Sequence, residues 1–286
     1  MKIIKYFFQF LIIIFFFIIF KIIGFKFASY ISSKIISIIG PFFRSKKIIT
    51  LNIQRSFPNL SKKEIDIIIN KMWNNYGRIL SEYMFIKNFK KSKSTFNLEI
   101  KGQAILDEIK NNHEPVIFVS GHFNNFELMA MHIEKSGIDL AVIYRPLNNK
   151  FLNFIMEKIR KKYICKKQIK KGIGGTKKLL SFFKKGTSIA LMIDQRVSEG
   201  IKCNFFNNEA FTTTIPAQFV KKFNCKIVPV YIERINNINF KLTLYEPLKF
   251  STQDTTLSIT QNLNNLLEDM IKKNPDQWIW SHNRWK

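Results

Sequence analysis

The chain opens on an apolar run with no polar face. From Phe7 to Phe25 only Gln9, Lys21 and Gly24 interrupt a series of Ile, Phe and Leu. At about 1.5 Å per residue such a helix just reaches across a hydrocarbon layer. It is too long for a signal-peptide core and no small-x-small site follows, so it reads as an anchor. A second apolar stretch, Ile31 to Phe43, ends at Gly40-Pro41 and is too short to span easily. It reads as an interfacial helix with Lys34 and Arg44 toward head groups. From Ser61 the pattern changes. Ser61-Lys62-Lys63-Glu64 has the form of a capping box. After it Ile65, Ile69, Met72, Trp73, Tyr76 and Leu80 recur at helical spacing, which predicts a long helix over 61–87.

Beyond that helix the periodicity alternates. It predicts strands at 96–101, 116–120, 140–144, 188–193, 226–233 and 240–244. It predicts helices at 103–111, 126–136, 148–161, 175–185, 216–223 and 256–273. Such alternation implies an α/β sheet domain flanked by helices. The expected organisation is an anchor at 1–26, an interfacial helix and connector at 27–60, and one body at 61–286.

Charge changes the picture. The 286 residues carry 46 Lys and Arg against 20 Asp and Glu, a net of +26. The excess is local: residues 1–63 hold 11 basic residues and residues 158–193 hold 12, with no acid in either window. The rest of the chain has 23 basic and 20 acidic residues. Two basic surfaces attract polyanions, whether nucleic acid, anionic head groups or an acidic protein. Nucleic acid fits least well. Lys makes up 38 of the 46 basic residues, and no helix-turn-helix or RNP-like run appears. Lys2 and Lys5 precede the anchor while Lys21, Lys26 and Lys34 follow it, which leans toward a body on the cytoplasmic side. Three cysteines, too few for a disulfide scaffold, agree with that side. There is no C-x-x-C or H-E-x-x-H, and the four histidines at 113, 122, 132 and 282 lack ligand spacing, so no metal or cofactor is expected.

Candidate chemistry centres on Val116-Ile-Phe-Val-Ser-Gly-His-Phe-Asn-Asn-Phe-Glu127. His122 follows a buried strand, at the edge where open α/β sheets collect catalytic groups. On one helix His122 and Glu127 would diverge by ~140°. They can meet if His122 sits in the loop and Glu127 in the first helical turn, with Asn124 or Asn125 as cap. Glu127 would then accept a hydrogen bond from one imidazole nitrogen and support the imidazolium as the other takes a proton. No serine nucleophile is evident, so the substrate's own hydroxyl would take the serine's part.

Gly121-His122-x4-Glu127 after a strand resembles motif I of the glycerolipid-type acyltransferases, and within these the bacterial lipid A acyltransferases. Val142-Ile-Tyr-Arg-Pro146 with Asn148, Gly174-Gly-Thr-Lys-Lys-Leu-Leu180, Met192-Ile-Asp-Gln195, Cys203-Asn-Phe-Phe206, Thr212-Thr-Thr-Ile-Pro216, Ile227-Val-Pro-Val230 and Pro275 to Lys286 are similar to the blocks that follow in that family. Two departures stand out: Asn207 where Gly usually follows the Phe pair, and Arg196 after Asp194-Gln195.

The resemblance implies a glycerolipid-acyltransferase-like mixed sheet with an N-terminal membrane-anchoring helix, at the bacterial inner membrane. It implies transfer of a secondary acyl chain from an acyl-acyl carrier protein, or acyl-CoA, to a hydroxyl of a phosphorylated Kdo-lipid A precursor. His122 and Glu127 would be catalytic. Arg145, Asn125, Asp194, Gln195 and Arg196 would contact substrate, Arg145 facing phosphate or the developing oxyanion. Two alternatives stay open: an acyltransferase for another glycolipid or a lysophospholipid, and a non-enzymatic membrane-tethered polyanion binder, which would leave His122 and Glu127 idle.

Overall fold

A computed structural model describes residues 2–91, 97–251 and 253–286. Five helices come first: α1 (Lys2–Ile23), α2 (Phe25–Ile39), α3 (Lys46–Ser56), α4 (Lys62–Glu82) and α5 (Ile86–Lys90). The α/β body follows as β1 (Leu98–Lys101), α6 (Gln103–Asn112), β2 (Ile117–Ser120), α7 (Glu127–Lys135), β3 (Leu140–Tyr144), α8 (Lys150–Ile159), β4 (Lys167–Lys170), α9 (Ile173–Lys184) and β5 (Ser188–Met192). It continues with β6 (Ile201–Phe205), β7 (Asn208–Thr212), α10 (Ile215–Phe223), β8 (Ile227–Ile235), β9 (Asn239–Leu244) and α11 (Thr256–Lys273). Phe96, the start of the first expected strand, lies outside the described residues.

The main sheet has the order β1-β9-β8-β2-β5-β3-β4. β8, β2, β5, β3 and β4 run parallel; β9 is antiparallel to β8 and carries β1 beside it. Central β2 is buried at every position, as a strand covered on both faces must be. The parallel crossovers fix the layers. From β2 to β3 and from β3 to β4 the chain moves one way across the sheet; from β4 to β5 and from β5 to β8 it moves the other. Right-handed connections therefore put α7 and α8 on one face, and α9 and α10 on the opposite one. Packing agrees, since Phe183 of α9 meets Phe219 of α10 edge-on at 5.2 Å.

The helical N-terminus joins this core. Buried apolar residues form one cluster from Phe17 to Trp280. The capping box of α4 is formed: Ser61 N donates to Glu64 at 2.8 Å and Glu64 N to Ser61 Oγ at 3.3 Å. The expected long helix breaks after Glu82 into a short 3₁₀ turn and α5. The second apolar stretch is α2, and it does not lie free. Ala28, Ser29, Ser32 and Ser33 are buried, and Ser32 Oγ donates to Gly77 O of α4 at 2.6 Å. Its other side exposes Phe27, Tyr30 and Ile38. α1 exposes Ile3, Phe8, Ile12 and Phe15 yet touches the body at both ends. Phe20 is buried, and Phe7 lies against Phe151 of α8 at 5.6 Å.

Three elements escaped the periodicity: α3, β4 and the β6–β7 hairpin. β4 is an edge strand of four residues with Ile169 alone fully buried. The hairpin turns on Phe206 and Asn207, with φ of 51° and 56°. Asn is among the side chains that tolerate this left-handed region, so Asn207 serves where glycine is usual.

A β-carbon on Gly77 would collide with the backbone of Ser32 and Ser33. Gly77→Ala is therefore expected to force α2 off α4 and to cost about 1–3 kcal/mol. The thermal midpoint of the detergent-solubilised protein reads it; an unchanged midpoint would contradict the close approach.

Candidate active site

Strand register builds the site. Ser120 of β2 pairs with Met192 of β5, and Ile193 N donates to Ser120 O at 2.9 Å. Two residues past that paired position stand His122 and Asp194. After β2 the chain turns to α7 on one face; after β5 it turns toward the hairpin and α10 on the other. Adjacent strands whose connections diverge leave a crevice at their carboxyl ends. Gly121 is required there: a β-carbon would meet the Phe123 ring at 2.9 Å and Asp194 Cβ at 3.3 Å.

His122 Nδ1 is 2.8 Å from Asp194 Oδ1, and His122 N donates to Asp194 Oδ2 at 2.9 Å. Trp278 Nε1 donates to the same Oδ2 at 2.7 Å. Asp194 is fully buried while the His122 side chain is 22 % exposed. An ionised Asp194 makes Nδ1 the protonated nitrogen and leaves Nε2 with its lone pair. Nε2 has no partner among the described residues. Burial opposes charge on His122, but the charge and hydrogen bond of Asp194 outweigh it; Glu127 assists, Arg160 opposes, and the pKa stands above its ordinary 6.5. Burial would raise Asp194, yet the His122 charge and its three donors bring it down to about 2. This is a polarised imidazole suited to taking a proton.

The carboxylate bracing His122 is thus Asp194, not Glu127, and Asp194, expected to contact substrate, is fully buried behind that imidazole. Glu127 begins α7 as expected, but its side chain turns to Arg160, whose Nε donates at 2.8 Å, and to the Tyr83 hydroxyl. Arg160 sits in a π-helical turn, Arg160–Ile164, that follows α8. Glu127 acts on His122 through its charge alone. Neither asparagine caps α7. Asn125 is buried and donates to Glu82 at 2.9 Å, so it supports the loop rather than lining the crevice. Asn124 donates to Ile232 O at 3.3 Å and to Gln277 Oε1.

Arg145 is exposed at the carboxyl end of β3, beside β5. Gln195 is half-buried next to Asp194. Arg196 is tied to the C-terminal tail: its N donates to His282 Nε2 at 3.0 Å and its Nε to Lys286 O at 2.9 Å. His282, read as lacking ligand spacing, thus stands near the pair, where burial lowers its pKa while Asp194 pushes the other way. Trp278, Arg160, Tyr83 and His282 were not marked as site residues. Trp278 and His282 fall within the block Pro275 to Lys286, but that resemblance does not disclose their partners. Among the described residues no His, Cys, Asp and Glu cluster could hold a metal ion.

A braced imidazole at a sheet edge, with no serine bonded to it among the described residues, is suited to general-base chemistry. The chain belongs to the bacterial lipid A biosynthesis acyltransferase family, whose model matches residues 1–286. It is an acyltransferase of lipid A biosynthesis. It is 22% identical to lipid A biosynthesis acyltransferase 2 of Shigella flexneri over 244 residues, 83% of this chain and 76% of that protein. It is 19% identical to the lipid A biosynthesis myristoyltransferase of Escherichia coli strain K12 over 243 residues, 82% of this chain and 73% of that protein. Among solved structures, the 1-acyl-sn-glycerophosphate acyltransferase PlsC of Thermotoga maritima is similar with a TM-score of 0.38 and 13% identity, over 87% of this chain and 96% of that one.

Two substitutions separate the carboxylates. Asp194→Asn is expected to lower acyl transfer about 10²–10⁴-fold with the fold retained. Transfer needs neutral His122, so wild-type kcat/KM should rise with pH through a value above 6.5, and the Asp194→Asn variant should show that limb at lower pH. An unmoved limb would remove Asp194 from this role. Glu127→Ala strands Arg160, which is 12 % exposed, and is expected to cost about 3–5 kcal/mol, read as a lowered thermal midpoint.

Proposed function

We propose that this chain adds a secondary acyl chain to a phosphorylated Kdo-lipid A precursor, taking it from an acyl-acyl carrier protein thioester. His122 Nε2 removes the proton of an acceptor hydroxyl. The oxygen attacks the thioester carbonyl, and the tetrahedral adduct expels a thiolate that recovers the proton from the imidazolium. Asp194 holds the tautomer and stabilises the imidazolium; Glu127 adds negative charge from further away. Arg145, exposed and without an ion pair among the described residues, serves acceptor phosphate or the developing oxyanion.

The observation that carries the reading is the His122–Asp194 pair at the β2–β5 edge, in a chain of this family. The setting is the bacterial inner membrane, with α1 as anchor and the body on its cytoplasmic side. Supporting this are the 22 residues of α1, long and apolar enough to cross a bilayer, and the exposed apolar residues of α2 and α8 next to it.

Membrane fractions holding the protein, given acyl carrier protein thioesters of several lengths and a tetra-acylated acceptor, should yield a product heavier by one acyl group. His122→Ala should reduce that yield about 10²–10⁴-fold without loss of membrane attachment. Acylation of a lysophospholipid with none of the lipid A precursor would overturn the acceptor, and full activity of the variant would overturn the base.

A further inference from the structure

One of the two acid-free basic windows has a place in the fold that the reaction as described leaves largely unused. The acid-free window 158–193 runs from the end of α8 through β4 and α9 to the end of β5. Three of its cations are neutralised internally: Arg160 by Glu127, Lys167 by Asp139 and Lys170 by Glu157. Those on α9 are not. Gly175, Leu179 and Phe183 point into the protein, while Lys177, Lys178, Ser181 and Lys184 are exposed, with Lys185 just past the helix. No ion pair engages any of these lysines among the described residues. The solvent side of this twelve-residue helix thus carries three lysines and no acid. Lys177 and Lys184 stand seven residues, about two turns, apart along that side.

Two kinds of anion could cover it, a bilayer surface or an acidic protein, and the sheet separates them. The exposed apolar residues that suit a bilayer lie on α1, α2 and α8: Phe8, Phe15, Phe27, Phe151 and Phe154 among them. α8 lies on the sheet face shared with α7, and α1 packs against α8. α9 lies on the opposite face, beside α10. A membrane meeting α1 and α8 leaves α9 turned toward water. α9 also begins at the carboxyl end of β4, on the edge that carries His122 and Asp194.

We propose that the solvent face of α9, centred on Lys177, Lys178 and Lys184, docks the acidic carrier protein that delivers the acyl thioester. This rests on the donor reading given above. A carrier lying along α9 presents its thioester arm to the crevice from the sheet face away from the lipid.

The test compares wild type with Lys177→Glu/Lys178→Glu/Lys184→Glu on two donors, the acyl carrier protein thioester and the same acyl group on uncharged pantetheine. The variant should raise KM for the carrier-bound donor about tenfold or more, with kcat kept and with unchanged kinetics on the pantetheine donor. Added salt should narrow the KM difference. Normal turnover of the small donor reports that the variant is folded; a Lys→Gln triple variant, with a smaller KM increase, serves if it is not. An equal KM for carrier-bound donor overturns the docking face. So does lost binding to anionic phospholipid vesicles, which would make α9 a membrane contact. If wild type takes acyl groups from pantetheine or CoA but never from the carrier protein, the donor reading itself fails, and the two failures are told apart by wild type alone.

Discussion

Everything at the candidate site depends on Asp194 being ionised where it is fully buried. A lone buried carboxylate costs several kcal/mol and would pick up a proton instead. Asp194 avoids that because three donors converge on it: the His122 ring, the His122 backbone and Trp278. The convergence follows from one register. With Ser120 opposite Met192 on adjacent parallel strands, the residues two places further on are brought side by side. A slip of one residue would send every side chain of β2 to the other face of the sheet and dissolve the pair. A β-branched residue at 121 would do as much damage by colliding with Phe123 and Asp194.

The loop bearing His122 is held from outside the sheet. Glu82, at the end of α4, is fully buried against Arg234 of β8, and Asn125 and Asn75 complete the hydrogen bonding. Gln277 bonds the Arg234 backbone in both directions, and its carbonyl accepts from Asn124 N at 3.1 Å. The tail is fixed in turn by Asn52 of α3, whose amide donates to Trp280 O at 2.9 Å and His282 O at 2.8 Å. Buried ion pairs add little net stability, but breaking one is costly. The arrangement makes the N-terminal helices part of the site's support.

How much of this was legible in the sequence depends on how local the determinant is. The capping box at Ser61–Glu64, the limits of β3 and the whole of α11 follow from spacing within a few residues, and the structure keeps them. Gly121-His122 at a strand end was equally local. The partner of His122 was not, because it lies 72 residues away and is set by strand order. β5 inserts between β2 and β3, and periodicity says nothing about who neighbours whom. Glu127 was the nearest acid in sequence. It was drawn off by Arg160, whose π-helical turn leaves no periodic signature. Asn125 read as a cap because caps are local; its actual partner, Glu82, is 43 residues back. Edge strand β4 was missed because one buried residue in four gives no alternation.

The two carboxylates near His122 divide one task by their surroundings. Among the described residues Asp194 pairs with the imidazole and with no other cation, so its charge is directed at that ring. Glu127 is bonded to a guanidinium and a phenol, so most of its charge is answered locally and its effect on the ring is the weaker. The same partition recurs at larger scale. Apolar side chains gather on α1, α2 and α8, lysines without an ion pair among the described residues on α9, and the His122–Asp194 pair stands at the strand edge between those two faces. The proposed reaction, joining a lipid acceptor to a water-borne donor, would use that geometry, because each must approach without crossing the other's medium. The topological switch between β2 and β5 supplies it: connections leaving adjacent strands in opposite directions make the crevice and keep the two faces distinct.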